Sequence, residues 1–167
     1  ETKTGLLGDN STFFYNPFIE KWVYSIRTHK LQDSPTSSNV RTRLYREHSN
    51  FVKGATWDDN EPVMWSWSDH LDHPDVNIGD DPQLYDLNAA PYESLMIGLF
   101  SIFYGPDNQV AQRRGVPKIN DLQVGFSRDG FHWDRTYREA FIPSERTKGH
   151  WDRAYIHASG GVCLVVG

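Results

Sequence analysis

Residues 90–106 read APYESLMIGLFSIFYGP, the longest nearly uncharged run in the sequence. Gly98 divides this run, so we predict two strand segments over residues 92–97 and 99–104. One carboxylate, Glu93, lies where the apolar residues begin. Because a carboxylate is rarely buried without a partner, an acid at the start of a buried strand either lowers stability or takes part in chemistry. Glu93 is therefore the first candidate for a functional residue.

Short segments rich in aromatic and β-branched residues precede this run. Residues 12–15 and 22–27 predict two strands joined by a turn at Pro17, because proline cannot donate a hydrogen bond within a central strand. Residues 31–39 predict a polar loop, and residues 41–47 alternate in character as a third strand would. The three strands are expected to form an antiparallel meander.

Two further stretches complete the pattern. Residues 121–127 predict another strand after the uncharged run. Residues 51–87 carry three Trp among Asp, Asn, Pro and Ser and predict a long connection without regular structure. No segment combines an amphipathic helical period with capping residues. The sequence therefore predicts an all-β fold.

The turn at residues 127–133, SRDGFHW, resembles the Asp-box turns of sialidases and other propellers. It is one residue shorter between Asp129 and Gly130 than those turns. We expect Ser127 and Asp129 to accept hydrogen bonds from the backbone of the turn, and Trp133 to pack beneath it. This predicts a structural role.

An acid precedes or opens an apolar segment at three places, Asp9, Glu93 and Asp152. Repetition at irregular intervals is typical of propeller blades with similar cores and unequal loops. We predict a partial β-propeller over residues 1–167. Its blade-like units are expected at about residues 6–50, 88–143 and 149–167, with a long loop at 51–87.

In a propeller the innermost strands run side by side around a channel, so Asp9, Glu93 and Asp152 are expected to face one pocket. Carboxylates in a partly dry pocket have pKa values driven apart, so that one donates a proton while another stays ionised. Glycoside hydrolysis needs such a pair. The structural alternatives are that Asp9 caps its own turn and that Glu93 pairs with Arg27. Asp152, beside Trp151, is then an ordinary surface residue.

Composition narrows the class of partner. The formal net charge is −5, and the 17 Lys and Arg are scattered, so we expect no nucleic-acid partner. No apolar run is long enough for a membrane span, so we expect no membrane insertion. Aromatic residues make up 14% of the chain although its mean hydropathy is −0.63. This combination is typical of sandwiches, propellers and sugar-binding proteins.

We expect no cofactor. The seven His show no metal-ligand spacing, and the many Asp of residues 58–81 predict a solvated loop. A structural calcium ion there is the alternative, since oxygen ligands are plentiful, although the EF-hand spacing is absent. The single cysteine, Cys163, is expected to be a buried, inert thiol.

Five phrases together resemble the family-32-like glycosyl hydrolases, and they cover most of the chain. They are GDNSTFFYNPFIEKWVYSIR (8–27), RTRLYREHSNF (41–51), PYESLMIGLF (91–100), VGFSRDGFHWDR (124–135) and the G-x-W-D of residues 149–152. The resemblance implies a relation to the five-bladed propeller enzymes of glycoside hydrolase families 32, 43 and 68. It also favours a secreted or periplasmic protein. This chain, which has no initiator Met and stops just after VCLVV, is expected to be a fragment of two to three blades.

Those enzymes use one acid from each of three blades. On that pattern Asp9 matches the second-blade acid, which stabilises the transition state, and Glu93 matches the general acid. The first-blade acid is expected before Glu1. The chain departs from the pattern because Asp9 lies in Gly-Asp-Asn instead of Arg-Asp-Pro, and because Ser94 stands where a Cys is usual.

The resulting hypothesis is an enzyme that cleaves a glycosidic bond in an oligo- or polysaccharide, with Glu93 as general acid and Asp9 stabilising the oxocarbenium-like state or orienting sugar hydroxyls. The expected substrate-binding residues are Asp152, Trp151, Arg27, Tyr92 and Asn10. A propeller that binds carbohydrate or protein without chemistry is one alternative. A purely structural propeller, with the acids paired to arginines, is the other.

Overall fold

The computed structural model describes residues 4–29, 40–158, 160 and 162. Sheet A contains, in chain order, β1 (Thr12–Asn16), β2 (Lys21–Thr28), β3 (Thr42–His48) and β4 (Val63–Ser66). Sheet B contains β5 (Gln83–Tyr92), β6 (Leu95–Gly105) and β7 (Ile119–Ser127). The connections hold two short helices, α1 (Phe51–Gly54) and α2 (Asn108–Arg114). The predicted loop at residues 31–39 and Cys163 lie outside the described residues.

All strand pairs within the two sheets are antiparallel, which confirms the all-β class and the meander of β1, β2 and β3. Phe14 lies opposite Val23, and Tyr24 lies opposite Arg46. The turn between β1 and β2 follows Pro17, as proline at that position predicts. Among the described residues, neither helix is long or apolar enough to cross a membrane.

The prediction of an unstructured connection at residues 51–87 is wrong. β4 extends sheet A beyond residue 50, and β5 begins at Gln83, within the predicted loop. The apolar pattern of β5 is interrupted by Asp86 and Asn88, which are polar and yet almost fully buried. Hydrophobic periodicity does not detect a strand of this kind, because its buried face carries hydrogen-bonding side chains.

The prediction that Glu93 opens a buried strand is also wrong. β5 and β6 form a hairpin in which Tyr92 pairs with Leu95, so Glu93 and Ser94 are its two turn residues. Glu93 is exposed and has a φ of 50°.

Gly98 lies within β6 and does not divide it. A Cβ atom added there would lie 2.6 Å from the ring of Trp133. Glycine is therefore required at this position because a tryptophan ring packs directly on the strand.

The main hydrophobic core lies between the two sheets. Sheet A contributes Phe14, Val23, Tyr45 and Trp65, and sheet B contributes Leu84, Leu87, Ala89, Met96, Phe100 and Ile102. β1 lies against β5, where Thr12 Oγ1 donates a hydrogen bond of 2.5 Å to the Leu87 carbonyl. On the other face of sheet A, Tyr24 and Ile26 are covered by Trp57. The first strand of each sheet is thus held against the other.

The chain after β7 returns along sheet B. Phe126 and Leu122 of β7 form antiparallel bridges to Asp134 and Ile142. Further on, Tyr155 forms a parallel bridge to Asn120, near the start of β7. The segment that carries Tyr155 therefore lies at the end of sheet B where β5 begins, because β5 and β7 start at the same end.

The prediction that the Asp-rich residues 58–81, named here the acidic loop, are solvated is wrong at Asp72. Asp72 is buried and forms ion pairs with Arg135 at 2.7 Å and with Arg138 at 3.0 Å. Arg138 also pairs with Asp69 at 2.9 Å, and Gln123 of β7 donates to Asp72 at 3.3 Å. These contacts hold the loop on sheet B and keep the Asp72 carboxylate out of water, whereas the Asp69 side chain is 36% exposed.

Candidate functional site

Charged and aromatic side chains gather where β5 begins, around the ring of Tyr85. We name this group the Tyr85 cluster; its members are Asp9, Arg27, Arg41, Tyr85, Tyr155 and His157. Tyr85 owes its position to a β-bulge: Leu84 pairs with Ile102 and Asp86 pairs with Ser101, so Tyr85 lies at the shift in register. Bulges re-aim side chains and are common next to functional sites.

Asp9 is the exposed acid of the cluster. Its Oδ1 atom lies 2.5 Å from Nη2 of Arg27, and its Oδ2 atom accepts a hydrogen bond of 3.3 Å from the hydroxyl of Tyr85. The side chain of Asp9 is 63% exposed, whereas that of Arg27 is 11% exposed. The protein therefore contacts both carboxylate oxygens and still leaves the group accessible to a ligand.

Backbone contacts of the segment before β1 fix the position of Asp9. The Ser11 hydroxyl donates to the Gly8 carbonyl at 2.8 Å and accepts from the Arg27 amide at 2.9 Å. The Gly8 amide donates to the Arg27 carbonyl at 3.2 Å. The predicted alternative, in which Asp9 itself caps the turn, is therefore wrong, because Ser11 makes these bonds and Asp9 pairs with Arg27.

Arg43 is fully buried beneath the cluster. Its guanidinium donates to the carbonyls of Ser25 at 3.2 Å and Asn10 at 2.7 Å, and also to the carbonyl of Tyr85. Burial lowers the pKa of Arg43 to about 9, an effect that the negative charge of Asp86 opposes. One buried cation thus ties together β2, β5 and the segment that carries Asp9.

A buried carboxylate holds a histidine at the edge of the cluster. Asp86 accepts a hydrogen bond of 2.7 Å from the Ser101 hydroxyl through Oδ1, and its Oδ2 atom lies 2.8 Å from Nδ1 of His157. The Asp86 side chain is 2% exposed and that of His157 is 22% exposed. The imidazole centroid lies 4.9 Å from the ring of Tyr85 and 4.6 Å from that of Tyr155.

Arg41 and Tyr155 complete the cluster. Nη1 of Arg41 donates to Gln83 Oε1 at 2.7 Å, and the guanidinium lies 5.1 Å from the centroid of the Tyr85 ring. Burial lowers the pKa of Arg41. Burial, followed by a hydrogen bond with Tyr85, raises the pKa of Tyr155, so that its phenol stays protonated at neutral pH. The cluster therefore offers cationic donors and phenol hydroxyls around one exposed carboxylate.

The structure brings together three predicted site residues, Asp9, Asn10 and Arg27, but places Glu93 and Tyr92 elsewhere. Glu93 is eight residues beyond Tyr85 along β5 and its turn, which corresponds to about 27 Å of strand at 3.4 Å per residue. Glycosidase carboxylate pairs are separated by about 5–9.5 Å. The expectation that Glu93 shares a pocket with Asp9 is therefore wrong, because hairpin pairing puts Glu93 at the far end of sheet B.

Asp152 and Trp151 lie just before the segment that carries Tyr155. Trp151 is exposed, and the Asp152 carbonyl accepts a hydrogen bond of 3.1 Å from the Glu145 amide. The predicted part of Asp152 and Trp151 in sugar binding remains a prediction.

Sequence reasoning missed Tyr85, Asp86, Arg41 and His157. Two polar residues, Asp86 and Asn88, within an otherwise apolar stretch were the available signal, since buried polar side chains need partners. The partner of Asp86 on the other segment, His157, is 71 residues away in sequence. No local pattern predicts that contact.

The turn at residues 127–133 has the predicted structural role. Asp129 Oδ1 accepts hydrogen bonds of 2.8 Å from the amides of Phe131 and His132, and the Ser127 hydroxyl accepts one of 2.8 Å from Gly130. An open depression of about 550 Å³ lies beside this turn. Asp129 is already used by the turn, and Arg128, His132 and Asp134 are the other charged or titratable residues that line the depression.

A second depression, of about 260 Å³, contains Arg114, Arg146 and Arg153. Arg146 is already paired with Asp121 at 3.0 Å and with Asp75 at 3.5 Å. Across the described ranges, no three His, Cys, Asp or Glu side chains are grouped so that they could hold a metal ion. The alternative of a calcium ion in the acidic loop stays a prediction.

Comparison of the chain with known protein families, with curated proteins and with solved structures finds no match.

Proposed function

We propose that the chain is part of a β-propeller of the glycoside hydrolase type, and that the Tyr85 cluster is its carbohydrate site. Two successive antiparallel sheets, each in chain order and with β1 lying against β5, support consecutive blades. The residues just before β1 and at the start of β5 then belong to the same end of a channel. The resemblance in sequence points to the same class.

One observation carries the proposal: the exposed Asp9 carboxylate is held by Arg27 and by the Tyr85 hydroxyl. Charged and phenolic groups that converge on one accessible position suit a ligand with many hydroxyls. The carboxylate accepts hydrogen bonds from such hydroxyls, and its charge stabilises an oxocarbenium-like transition state. Asp9 thus keeps the role expected from the sequence.

Glu93 has no part in the proposed site. It lies in an exposed two-residue turn at the other end of sheet B. A group that protonates the leaving oxygen must be within hydrogen-bond reach of that oxygen. Glu93 is too far from the Tyr85 cluster to meet this requirement.

Sugar binding without chemistry is the second candidate. It is favoured by the close ion pair of Asp9 with Arg27 at 2.5 Å, since the guanidinium charge offsets the negative charge that would stabilise an oxocarbenium-like transition state, while the carboxylate lone pairs still accept hydrogen bonds from hydroxyls. This candidate predicts that the protein binds a glycan and releases no product from it.

The test compares Asp9→Asn with Glu93→Gln in the full chain, using 4-nitrophenyl glycosides and an oligosaccharide array. We expect wild-type protein to release 4-nitrophenol from at least one glycoside. Asp9→Asn should lower kcat/KM about 100-fold or more, as loss of transition-state charge stabilisation does, while Glu93→Gln should leave it within about twofold. Array binding without product would support the second candidate. Neither binding nor product, or a large loss in Glu93→Gln alone, would overturn the proposal.

A further inference from the structure

We propose that His157, positioned by Asp86, transfers the proton at the Tyr85 cluster and supplies the general acid that Glu93 was expected to be. This inference rests on the function proposed above. It assigns His157 a catalytic role and Asp86 a positioning role.

Asp86 determines which nitrogen of His157 carries the exchangeable proton. The carboxylate accepts from Nδ1 at 2.8 Å, so Nδ1 keeps its hydrogen and Nε2 is the atom that gains and loses one. Asp86 is itself fixed by Ser101 Oγ on the paired strand β6, at 2.7 Å. A carboxylate that is 2% exposed requires such partners, and here they lie on a rigid hairpin.

Nε2 of His157 is available to a ligand. Within the described part of the chain, the only hydrogen bond of the His157 imidazole is the one from Nδ1 to Asp86. The His157 side chain is 22% exposed. The imidazole lies against the ring of Tyr85, the residue whose hydroxyl contacts Asp9. A glycosidic bond beside Tyr85 can therefore have the imidazole and the Asp9 carboxylate as neighbours.

Charged groups of both signs lie around His157. Asp86 contributes the nearest negative charge and Asp9 a second, while three arginines contribute positive charge. The titratable groups that contact the imidazole are Asp86 and Tyr85 on β5 and Tyr155 on its own segment. The charged groups next to these residues are Arg43 on β3, near Asp86, and Arg27, Arg41 and Asp9, which lie against Tyr85.

The proposed step consumes one water for each glycosidic bond. Nε2–H of the imidazolium passes its proton to the glycosidic oxygen, and the electron pair of the breaking C–O bond goes to that oxygen. The oxygen of a water molecule bonds to the anomeric carbon and its proton passes to solvent, while the Asp9 carboxylate stabilises the oxocarbenium-like charge. His157 regains a proton from solvent, so both side chains return to their starting state.

The chain supplies its own control. His132 and Asp129 form an equally short contact of 2.7 Å between Nδ1 and Oδ2, but His132 is 83% exposed and lies in the turn after β7. This pair reproduces the Asp–His contact without the Tyr85 cluster. His132→Gln is therefore the matched control for His157→Gln.

The experiment measures the dependence on the leaving group in the full chain. For the sugar whose 4-nitrophenyl glycoside is hydrolysed, kcat/KM is compared between that glycoside and the methyl glycoside. Nitrophenolate leaves without a proton, whereas methoxide requires one. His157→Gln should lower kcat/KM about 10²–10⁴-fold on the methyl glycoside, the range for loss of a general acid, and much less on the nitrophenyl glycoside. The limb of the pH profile due to the imidazole should disappear as well, and His132→Gln should match wild type.

Equal losses of His157→Gln on both glycosides, or no loss, would overturn the inference while leaving the proposed function standing. If wild-type protein hydrolyses neither glycoside, the inference falls together with the proposed function. Should His157→Gln fail to fold, diethyl pyrocarbonate applied to the folded His132→Gln variant decides the question. Modification of His157 at Nε2, in step with lost turnover and prevented by the sugar, supports the inference; an unmodified His157 overturns it.

Discussion

Sheet B carries an Asp–His pair at each end, and the two pairs differ in what surrounds the carboxylate. Asp86 and His157 lie where β5 begins, with the carboxylate 2% exposed. Asp129 and His132 lie in the turn after β7, with the carboxylate 48% exposed. The contact distances are 2.8 Å and 2.7 Å. A short Asp–His distance alone therefore does not identify a functional site, and burial and neighbours decide the role.

The partners of the two carboxylates also differ in sequence separation. Among the described residues, the hydrogen bonds of the Asp129 carboxylate go to residues no more than three positions away, and they complete a turn. Burial alone would raise the pKa of Asp129, but hydrogen bonds from His132 and Phe131 hold that pKa well below its usual range. Asp86 instead joins β5 to β6 and to a segment 71 residues away. The first pair builds local structure, and the second pair links distant parts of the chain.

The largest expected effect comes from removing the cation beneath the Tyr85 cluster. Arg43→Met leaves the carbonyls of Asn10 and Tyr85 without their buried donor and removes the charge that faces Asp86. We expect the free energy of unfolding to fall by about 3–5 kcal/mol, as when one partner of a buried charged network is lost. Urea unfolding measures this change.

Arg46→Met is the control for Arg43→Met. Arg46 also bonds backbone carbonyls, those of Gly54 and Thr56, but its ion pair is with the more exposed Glu61. Its loss should cost about 1 kcal/mol or less. Equal effects of the two substitutions would show that the burial of Arg43 does not set its contribution.

The next largest effect is the difference in stability loss between substitutions in the two Asp–His pairs. Asp86→Asn should lower the free energy of unfolding by about 1–3 kcal/mol. The amide has one acceptor oxygen where the carboxylate has two, so one of the buried donors loses its partner. Asp129→Asn should cost about 1 kcal/mol, since its Oδ1 contacts with the turn amides are retained in the amide form. Thermal and urea unfolding of both variants test the order. A larger loss for Asp129→Asn would reverse the comparison.

The pH dependence of Asp129 gives a smaller effect of known sign. The pKa of Asp129 is lower in the folded chain than in the unfolded chain, so the folded state binds fewer protons as the pH falls toward that range. The stabilisation is present above the ordinary carboxyl pKa of about 4 and is lost below it. The difference in unfolding free energy between wild type and Asp129→Asn should therefore shrink from pH 6 to pH 3. A constant difference would contradict the assignment.

The same contrast explains how much could be predicted from sequence. The meander of β1, β2 and β3 and the Asp129 turn follow from local patterns and were predicted correctly. The position of Glu93 was not, because an apolar run with one acid fits a strand start and a hairpin turn equally well. Asp9 and Arg27 were predicted as site residues from separate segments. Asp86 and His157 were missed because their contact exists only after distant segments pack.

The smallest expected effect tests whether the turn end of sheet B has any chemistry. Glu93 has a φ of 50°, a conformation that costs a residue with a Cβ about 1–2 kcal/mol. Glycine removes that cost but loses more entropy on folding, by about 0.5–1 kcal/mol. Glu93→Gly should therefore raise the free energy of unfolding by no more than about 1.5 kcal/mol, and Glu93→Ala should not raise it.

Neither Glu93 variant should change turnover of the hydrolysed glycoside, because the Glu93 carboxylate lies about 27 Å along the strand from Tyr85. An end-point assay of 4-nitrophenol release by both variants, together with urea unfolding, separates the effect of the backbone conformation from the effect of the carboxylate. A stabilised Glu93→Gly with unchanged turnover assigns Glu93 to the turn. If both variants lose turnover while remaining folded, the carboxylate acts in catalysis, and the functional end of sheet B is then the end opposite to Asp86 and His157.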